Sequence, residues 1–265
     1  MKNTKEKLKQ YNIRPTKKLG QNFLTNKDSL NKILKAIDPK QDDTIIEIGP
    51  GLGALTKELS KKAKKIIAIE KDKRLYNVLK QNIKNKNIEL INKDILEYQP
   101  PKIKYKLAGN IPYYITSPII RKFLEEKSKP EKITLTTQKE VAQRICQQPP
   151  KTNLLAISVQ FYAIPKIEAH IPKEHFSPKP KVDSAIINIK PKKQLPLKEN
   201  QIKDFFKLIK IGFSSKRKTL LNNLNSKIKK EKSEIEKILK KSNIKSKVRA
   251  ESLSIQDWLN LFHNI

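Results

Sequence analysis

Four short stretches of the chain place chemically competent residues at the ends of apolar runs. In GNIPYYIT (109–116) an asparagine, with both donor and acceptor atoms, closes the run KYKLAG and precedes Ile-Pro-Tyr-Tyr. Proline stops a strand and fixes the turn, and a tyrosine ring is flat and rigid. The stretch therefore spells a slot with one polar corner, and an adenine suits it. The exocyclic amine of adenine is a poor nucleophile, because its lone pair is delocalised into the ring. The side-chain oxygen of Asn110 and the carbonyl of Ile111 would each accept one amine hydrogen, favouring a pyramidal nitrogen with its lone pair aimed at an electrophile. Pro112 would hold the turn, and Tyr113 would stack on the base. With a methyl sulfonium as electrophile, the reaction needs alignment more than a strong base. A base paired inside a duplex does not reach such a slot, so the substrate is flipped out or single-stranded. Without chemistry, the same stretch is a turn in which Asn110 caps the helix around SPIIRKFL.

The other three stretches read as a nucleotide-cofactor site. EIGPGLGALT (47–56) follows an apolar run and opens a helical pattern, and its glycines let the backbone pass close to a bound nucleotide at a helix N-terminus. Glu70 ends the next run, 21 residues after Gly49, where an acid accepts from ribose hydroxyls. A dinucleotide dehydrogenase satisfies this much equally well. Asp94, in NKDIL, ends the third run; it would accept from the amine of an adenine ring, as in sites for S-adenosylmethionine, or simply cap a helix. Gly loop, Glu70 and Asp94 at three successive strand ends favour a methyltransferase.

The elements that must position these residues alternate. TIIEIG, KKIIAIEKD, NIELINKD, KYKLAGN and KITLTTQ read as strands, separated by helical patterns such as KRLYNVLKQNIKNK and SPIIRKFLEEKS. That alternation predicts a parallel sheet covered on both faces. NLLAISVQFY reads as helix, and AIPKIEAHI and VDSAIINIK as a strand pair that gives the sheet an antiparallel edge. PKKQLPLKEN (191–200) is a Pro- and Lys-rich linker. Beyond it IKDFFKLIKIGF, KTLLNNLNSKI, SEIEKILKKS and SIQDWLNLF have helical periodicity. The expected organisation is a basic N-terminal extension (1–19), an α/β domain (20–190) and a small helical domain (196–265).

Composition narrows the setting. One cysteine in 265 residues excludes a disulfide framework and suits a reducing cytoplasm. No apolar run approaches the ~20 residues that span a bilayer. The first residues, MKNTKEKLKQYNIRP, lack the apolar core of a signal peptide and are too poor in arginine for a transit peptide. The net charge of +32 favours polyanionic partners, chiefly nucleic acid. Yet only six of the 58 basic residues are arginine, and a lysine excess of that kind also follows from an A+T-rich coding sequence. Glycine is scarce, six residues, and three fall in the 49–53 loop, which marks that loop as the place where the backbone needs unusual dihedrals.

Taken together, these motifs resemble the KsgA-type ribosomal RNA adenine dimethyltransferases, and the resemblance runs from about residue 18 to 261. GQNFL (20–24) matches the family segment over the cofactor, implying contacts from Asn22 and Leu24. EIGPGLGALT matches the methionine-binding loop, with Gly49 and Gly51; IEKD matches the ribose acid, Glu70; NKDIL matches the adenine-binding Asp94. GNIPYYIT matches the catalytic motif, with Asn110, Ile111, Pro112 and Tyr113, and Asn110 also touching the cofactor. HFSPKPKVDSAI (175–186) matches the loop where the family places a second aromatic near the target base, here Phe176. By residue type alone Phe176 is equally a core residue; with Tyr113 opposite, a stacking sandwich is expected. The family pattern has two arginines where this chain has Lys216 and Arg217, which weakens the case for bidentate phosphate contact at the first. Lys216, Arg217 and Lys218, on a helix KRKTLLNNL, would hold RNA phosphates, or else form a solvated face.

The resemblance implies a Rossmann-like class I methyltransferase domain, its mostly parallel seven-stranded sheet closed by an antiparallel edge, plus a C-terminal all-helical domain that contacts RNA. It implies S-adenosylmethionine as cofactor and no metal. The expected partner is the small ribosomal subunit, with dimethylation of N6 on two adjacent adenines in the 3′-terminal hairpin of 16S rRNA and a role in subunit biogenesis. A cytoplasmic monomer with no membrane partner is expected. Two alternatives stay open: a macrolide-resistance type enzyme acting on one adenine of large-subunit rRNA, and a mainly non-catalytic assembly factor. IGPGLGALT, GFSSKRKTLLNNL and VRAESLSIQDW look like the small-subunit enzymes.

Overall fold

The computed structural model describes residues 4–16 and 19–265. The chain runs through α1 (Thr4–Gln10), β1 (Phe23–Leu24), α2 (Lys27–Ile37), β2 (Thr44–Ile48), α3 (Ala54–Ser60), β3 (Lys65–Glu70), α4 (Lys73–Asn82), β4 (Ile88–Asn92), β5 (Lys106–Asn110), α5 (Thr116–Glu125), β6 (Lys132–Gln138) and α6 (Lys139–Cys146). It continues with α7 (Leu154–Tyr162), β7 (Ala163–Ile171), β8 (Phe176–Ser177), β9 (Ser184–Pro191), α8 (Glu199–Gly212), α9 (Leu220–Asn225), α10 (Lys232–Lys241) and α11 (Ile255–Asn264).

Strands in the order β4-β3-β2-β5-β6-β9-β7 form the expected seven-stranded sheet. The pairs β3·β4, β2·β3, β2·β5 and β5·β6 are parallel and β6·β9 is antiparallel. In β2 and β3 four and five consecutive residues are buried, the near-continuous apolar reading of strands covered on both faces. From β2 the chain winds outward through β3 to β4, then returns to the other side of β2 to lay down β5 and β6. The winding direction reverses between β2 and β5, and ligands of such sheets bind in the crevice at the strand ends there.

α2 packs Leu30, Ile33, Leu34 and Ile37 into a cluster of the sheet's core, and the Asn26 side chain caps it by accepting from Ser29 N at 2.9 Å. A two-residue ladder between β1 and β8 pairs Leu24 with Phe176. Neither α2 nor this ladder was expected from the motifs.

The chain divides into two compact units, one of Met1–Ala142 with Pro165–Pro191, the other of Gln143–Ile164 with Lys192–Ile265. Two differences from the expected boundaries follow. The described part of residues 1–19 is no separate extension: Leu8 and Ile13 are buried in one cluster with Phe23 and Leu75. And α7 belongs with the second unit rather than the α/β domain. The Phe161 ring lies 5.1 Å and 5.2 Å from those of Phe205 and Phe206 on α8, so the helices beyond residue 191 need it as core. Among the described residues no helix is long and apolar enough to cross a membrane, and no group of three or more His, Cys, Asp or Glu is arranged to hold a metal ion.

Candidate active site

One cavity at the β2/β5 switch point is lined by every residue expected at the cofactor and catalytic sites: Asn22, Leu24, Gly49, Gly51, Glu70, Asp94, and Asn110 through Tyr113. Its cofactor end is built from strand termini. Gly49 has φ +62° and nothing within 4 Å of where a Cβ would be, so conformation rather than crowding demands glycine there. At Gly51 (φ +61°) a Cβ would also meet the Phe23 ring at 3.2 Å. Glu70 is the last residue of β3. It accepts from Gly51 N through Oε2 at 3.2 Å and from Asp72 N through Oε1 at 2.9 Å, tying the glycine loop to the neighbouring strand end. Burial pushes its carboxyl up to about 7, against the two N–H bonds.

A second acid, Glu47, was not anticipated as a site residue. It is 1% exposed, lines the same cavity, and its Oε2 has no hydrogen-bond partner among the described residues. Burial pushes it up to about 8; Thr56 opposes the shift, and Glu70 adds to it. The signal was an acid inside TIIEI, a strand otherwise apolar from Ile45 to Ile48. Two buried carboxyls facing one cavity suit a cationic ligand, because a positive group would supply the partner that the protein withholds. S-adenosylmethionine, with an α-ammonium, a sulfonium, a ribose diol and an adenine, fits that donor set.

Asp94 serves as the helix cap that one of its two sequence readings foresaw. Its Oδ1 caps a 3₁₀ turn (Ile95–Glu97) by accepting from Leu96 N at 2.9 Å, while Oδ2 pairs with Lys71 Nζ at 2.6 Å on the cavity rim. Burial raises its carboxyl, but the Lys71 ammonium and the Leu96 N–H together hold it below the usual carboxylate range.

The N-terminal segment is strapped across this end. Asp72 accepts from Gln21 Nε2 at 2.8 Å and from Arg74 Nη2 at 2.6 Å, Gln21 Oε1 accepts from Thr16 N at 2.8 Å, and Arg74 Nη2 donates to Thr16 Oγ1 at 2.7 Å. Thr4 and Lys7 of α1 line the cavity.

The opposite end is sparser. Asn110 is the final residue of β5, and its Nδ2 donates to the Asn22 carbonyl at 3.0 Å. That bond fixes the carboxamide and leaves Oδ1 with no partner among the described residues. Asn110 does not cap α5, whose N-cap position is Ile115. Pro112 (φ −57°) opens a 3₁₀ turn over Tyr113–Ile115, and the Tyr113 hydroxyl and Ser184 Oγ share a hydrogen bond of 2.8 Å that orients the half-buried ring.

Two expectations need correction. Phe176 does not face Tyr113 across an open slot: it is 3% exposed, packed in the core cluster with Leu24, Leu30 and Ile33, and is not part of the cavity wall. The β1·β8 ladder turns its side chain inward, as the core alternative foresaw. Lys216, Arg217 and Lys218 are exposed but lie in a turn, not on a helix. The helix begins after Thr219, whose Oγ1 accepts from Asn222 N at 3.3 Å as its N-cap.

Sheet order, glycine loop and strand-end acids define a Rossmann-like, S-adenosylmethionine-dependent methyltransferase. The family model for "Ribosomal RNA adenine dimethylase" matches residues 12–265, and the chain belongs to that family. It is 43% identical to "Ribosomal RNA small subunit methyltransferase A" of Dehalococcoides mccartyi (strain CBDB1), over 98% of this chain and 92% of that protein. To the protein of the same name in Clostridioides difficile (strain 630) it is 40% identical, over 96% and 92%. Among solved structures it is similar to a dimethyladenosine transferase from Plasmodium falciparum (TM-score 0.79, 28% identity, 90% of this chain and 95% of that one). It is also similar to the 23S rRNA methyltransferase ErmE (TM-score 0.77, 26% identity, 92% and 99%).

Proposed function

We propose that this protein dimethylates N6 of two adjacent adenines in the 3′-terminal hairpin of 16S rRNA, using S-adenosylmethionine, on small ribosomal subunits during their biogenesis. The observation that carries the chemistry is Asn110, a residue of the cavity wall whose amide nitrogen is tied to the Asn22 carbonyl and whose oxygen has no partner among the described residues.

S-adenosylmethionine supplies, when bound, a methyl group activated on a sulfonium. Glu70 would accept from the ribose hydroxyls and Asp94 from the adenine amine, and Glu47 with Glu70 would offer buried carboxyls whose ionised forms a cationic ligand favours. The backbone of Gly49 and Gly51 admits the methionine portion, and Asn22 and Leu24 close over it. At the other end Asn110 Oδ1 and the Ile111 carbonyl each accept one hydrogen of the target amine, turning its lone pair toward the cofactor side. Pro112 fixes their spacing, and Tyr113, its hydroxyl held by Ser184, offers a ring on which the flipped base stacks. The proton released on transfer is weakly held by a methylated, cationic amine and passes to solvent. Alignment supplies the rate.

Lys216, Arg217 and Lys218 contact rRNA phosphates and so position the substrate rather than read its sequence. The protein acts as a cytoplasmic monomer. The small-subunit reading is preferred over the large-subunit one because the relatives near 40% identity carry the small-subunit name. The test is transfer of labelled methyl from S-adenosylmethionine to unmethylated small subunits, with large-subunit rRNA alongside. Label mapped to N6-dimethyladenine in the 3′-terminal hairpin is the expected result. Label in large-subunit rRNA alone would assign the resistance-type reaction, and no label in either would leave an assembly factor.

A further inference from the structure

Tyr113 and Tyr114 are consecutive on the same 3₁₀ turn and differ in how they are held. Tyr113 is half-buried, with its hydroxyl bonded to Ser184, whereas Tyr114 is 59% exposed at the mouth of the same cavity. Leaving that much of an aromatic ring in water forgoes burial that the fold gives to most of its rings. The ring is nevertheless well placed. Its backbone is set by Pro112 and by the start of α5, and one side rests on Gly20, where a Cβ would lie 3.5 Å from ring Cε1.

Cations flank it. Lys71, itself 58% exposed and paired with Asp94, lines the same cavity. Lys93 is exposed on the same rim. A fixed, open aromatic face beside lysines is the arrangement with which proteins hold single-stranded nucleic acid: a ring for a base, ammonium groups for the phosphates. The slot already accounts for the flipped adenine, so the base outside it needs a surface of its own.

We propose that Tyr114 is a positioning residue for the RNA, stacking on the base that flanks the flipped adenine while Lys71 and Lys93 meet the adjoining phosphates. Where two target adenines are neighbours, that flanking base is the other target, so Tyr114 holds one adenine at the mouth while its neighbour reacts. The inference rests on the target base entering against Asn110 and Tyr113.

The test compares Tyr114→Ala and Tyr114→Phe on small subunits. Three readouts are needed: kcat and KM for the subunit, the S-adenosylmethionine Kd by calorimetry, and the yield of dimethyladenosine at each adenine. A base–ring stack corresponds to a factor of roughly 5 to 150, so Tyr114→Ala should raise KM by about tenfold. Cofactor Kd should not move, the second adenine should be left under-methylated, and Tyr114→Phe should behave as wild type. An unchanged KM, or a Phe variant as poor as Ala, would overturn the stack. A Kd for S-adenosylmethionine that weakens as much as the RNA term would make the ring a wall of the cofactor site instead. Asn110→Ala assayed alongside separates the two readings: if it turns over normally while Tyr114→Ala loses RNA affinity, the slot assignment fails and Tyr114 is an RNA-stacking ring whose partner is not the base beside the flipped adenine.

Discussion

The two ends of the cavity are built on opposite plans. At the cofactor end, the Glu70, Asp72 and Asp94 carboxylates and the Gln21 carboxamide all accept hydrogen bonds within the protein, and the N-terminal segment is strapped over them. At the target end, Asn110 is fixed through its nitrogen alone, its oxygen has no partner among the described residues, and the next ring along, Tyr114, stands in water. A small ligand of constant shape can be met by a site satisfied in advance but for one buried oxygen, Glu47 Oε2, whereas a base pulled from an RNA must bring its own hydrogens to acceptors kept vacant. Preorganisation thus lies in the backbone at one end and in unspent acceptors at the other.

That contrast is broken most directly at Asn110. Asn110→Ala should lower kcat by about 10²–10³-fold, the usual loss on removing one aligned polar group, with cofactor affinity largely kept. Near-normal turnover in single-turnover methyl transfer would remove the distinction between the ends.

The next largest effect is in pH. Glu47 and Glu70 have carboxyls raised from 4.5 to about 8 and about 7 in the folded protein. The native state therefore binds more protons than the unfolded chain above pH 4.5, and stability falls as pH rises toward 8. The drop should be smaller in Glu47→Gln. A cationic cofactor favours the ionised carboxyls, so its affinity should rise through the same window; thermal melting with and without ligand from pH 5 to 9 measures both.

Glu70→Ala should weaken cofactor binding by about 10- to 100-fold, the worth of one or two hydrogen bonds to a charged group, while saturating cofactor restores most of kcat. Calorimetry and kinetics together would sharpen the comparison, since Asn110→Ala should show the reverse pattern. Charge reversal at Lys216, Arg217 and Lys218 has the mildest expected outcome. Subunit binding weakens by about tenfold with a shallower salt slope, and cofactor affinity is unchanged in a filter-binding titration.

What could be read from residues alone follows the range of the interactions involved. The parallel strands announced themselves as apolar runs, and the cofactor acids and Asn110 sit at or just past their ends, so element and site were legible together. α2 was just as plain in its spacing, Leu30, Ile33, Leu34 and Ile37 behind an Asn26 cap, although no expectation was drawn from it. The β1·β8 ladder was not legible, because two residues per strand carry no periodicity and lie 152 residues apart. Phe176 was misplaced for that reason: residue type left core and stacking open, and a distant ladder decided. Lys216–Lys218 were put on a helix because Thr219 was read as part of it rather than as its cap. The strap between Thr16, Gln21, Asp72 and Arg74 depends on two segments more than 50 residues apart meeting, which no local pattern records.

The order in which the second unit is made differs from the order in which it is needed. α7 is among the most apolar helices of the chain, and Phe161 finds its ring partners at Phe205 and Phe206, 44 residues later. At typical elongation rates the ribosome adds those residues over roughly 2–9 s. For that interval an apolar segment has left, or is leaving, the exit tunnel with only the short stretch from Gln143 of its own unit to pack against. Newly made chains are thus most exposed to aggregation and to chaperone capture in the middle of synthesis. A fragment that begins at Lys192 would never acquire the missing helix.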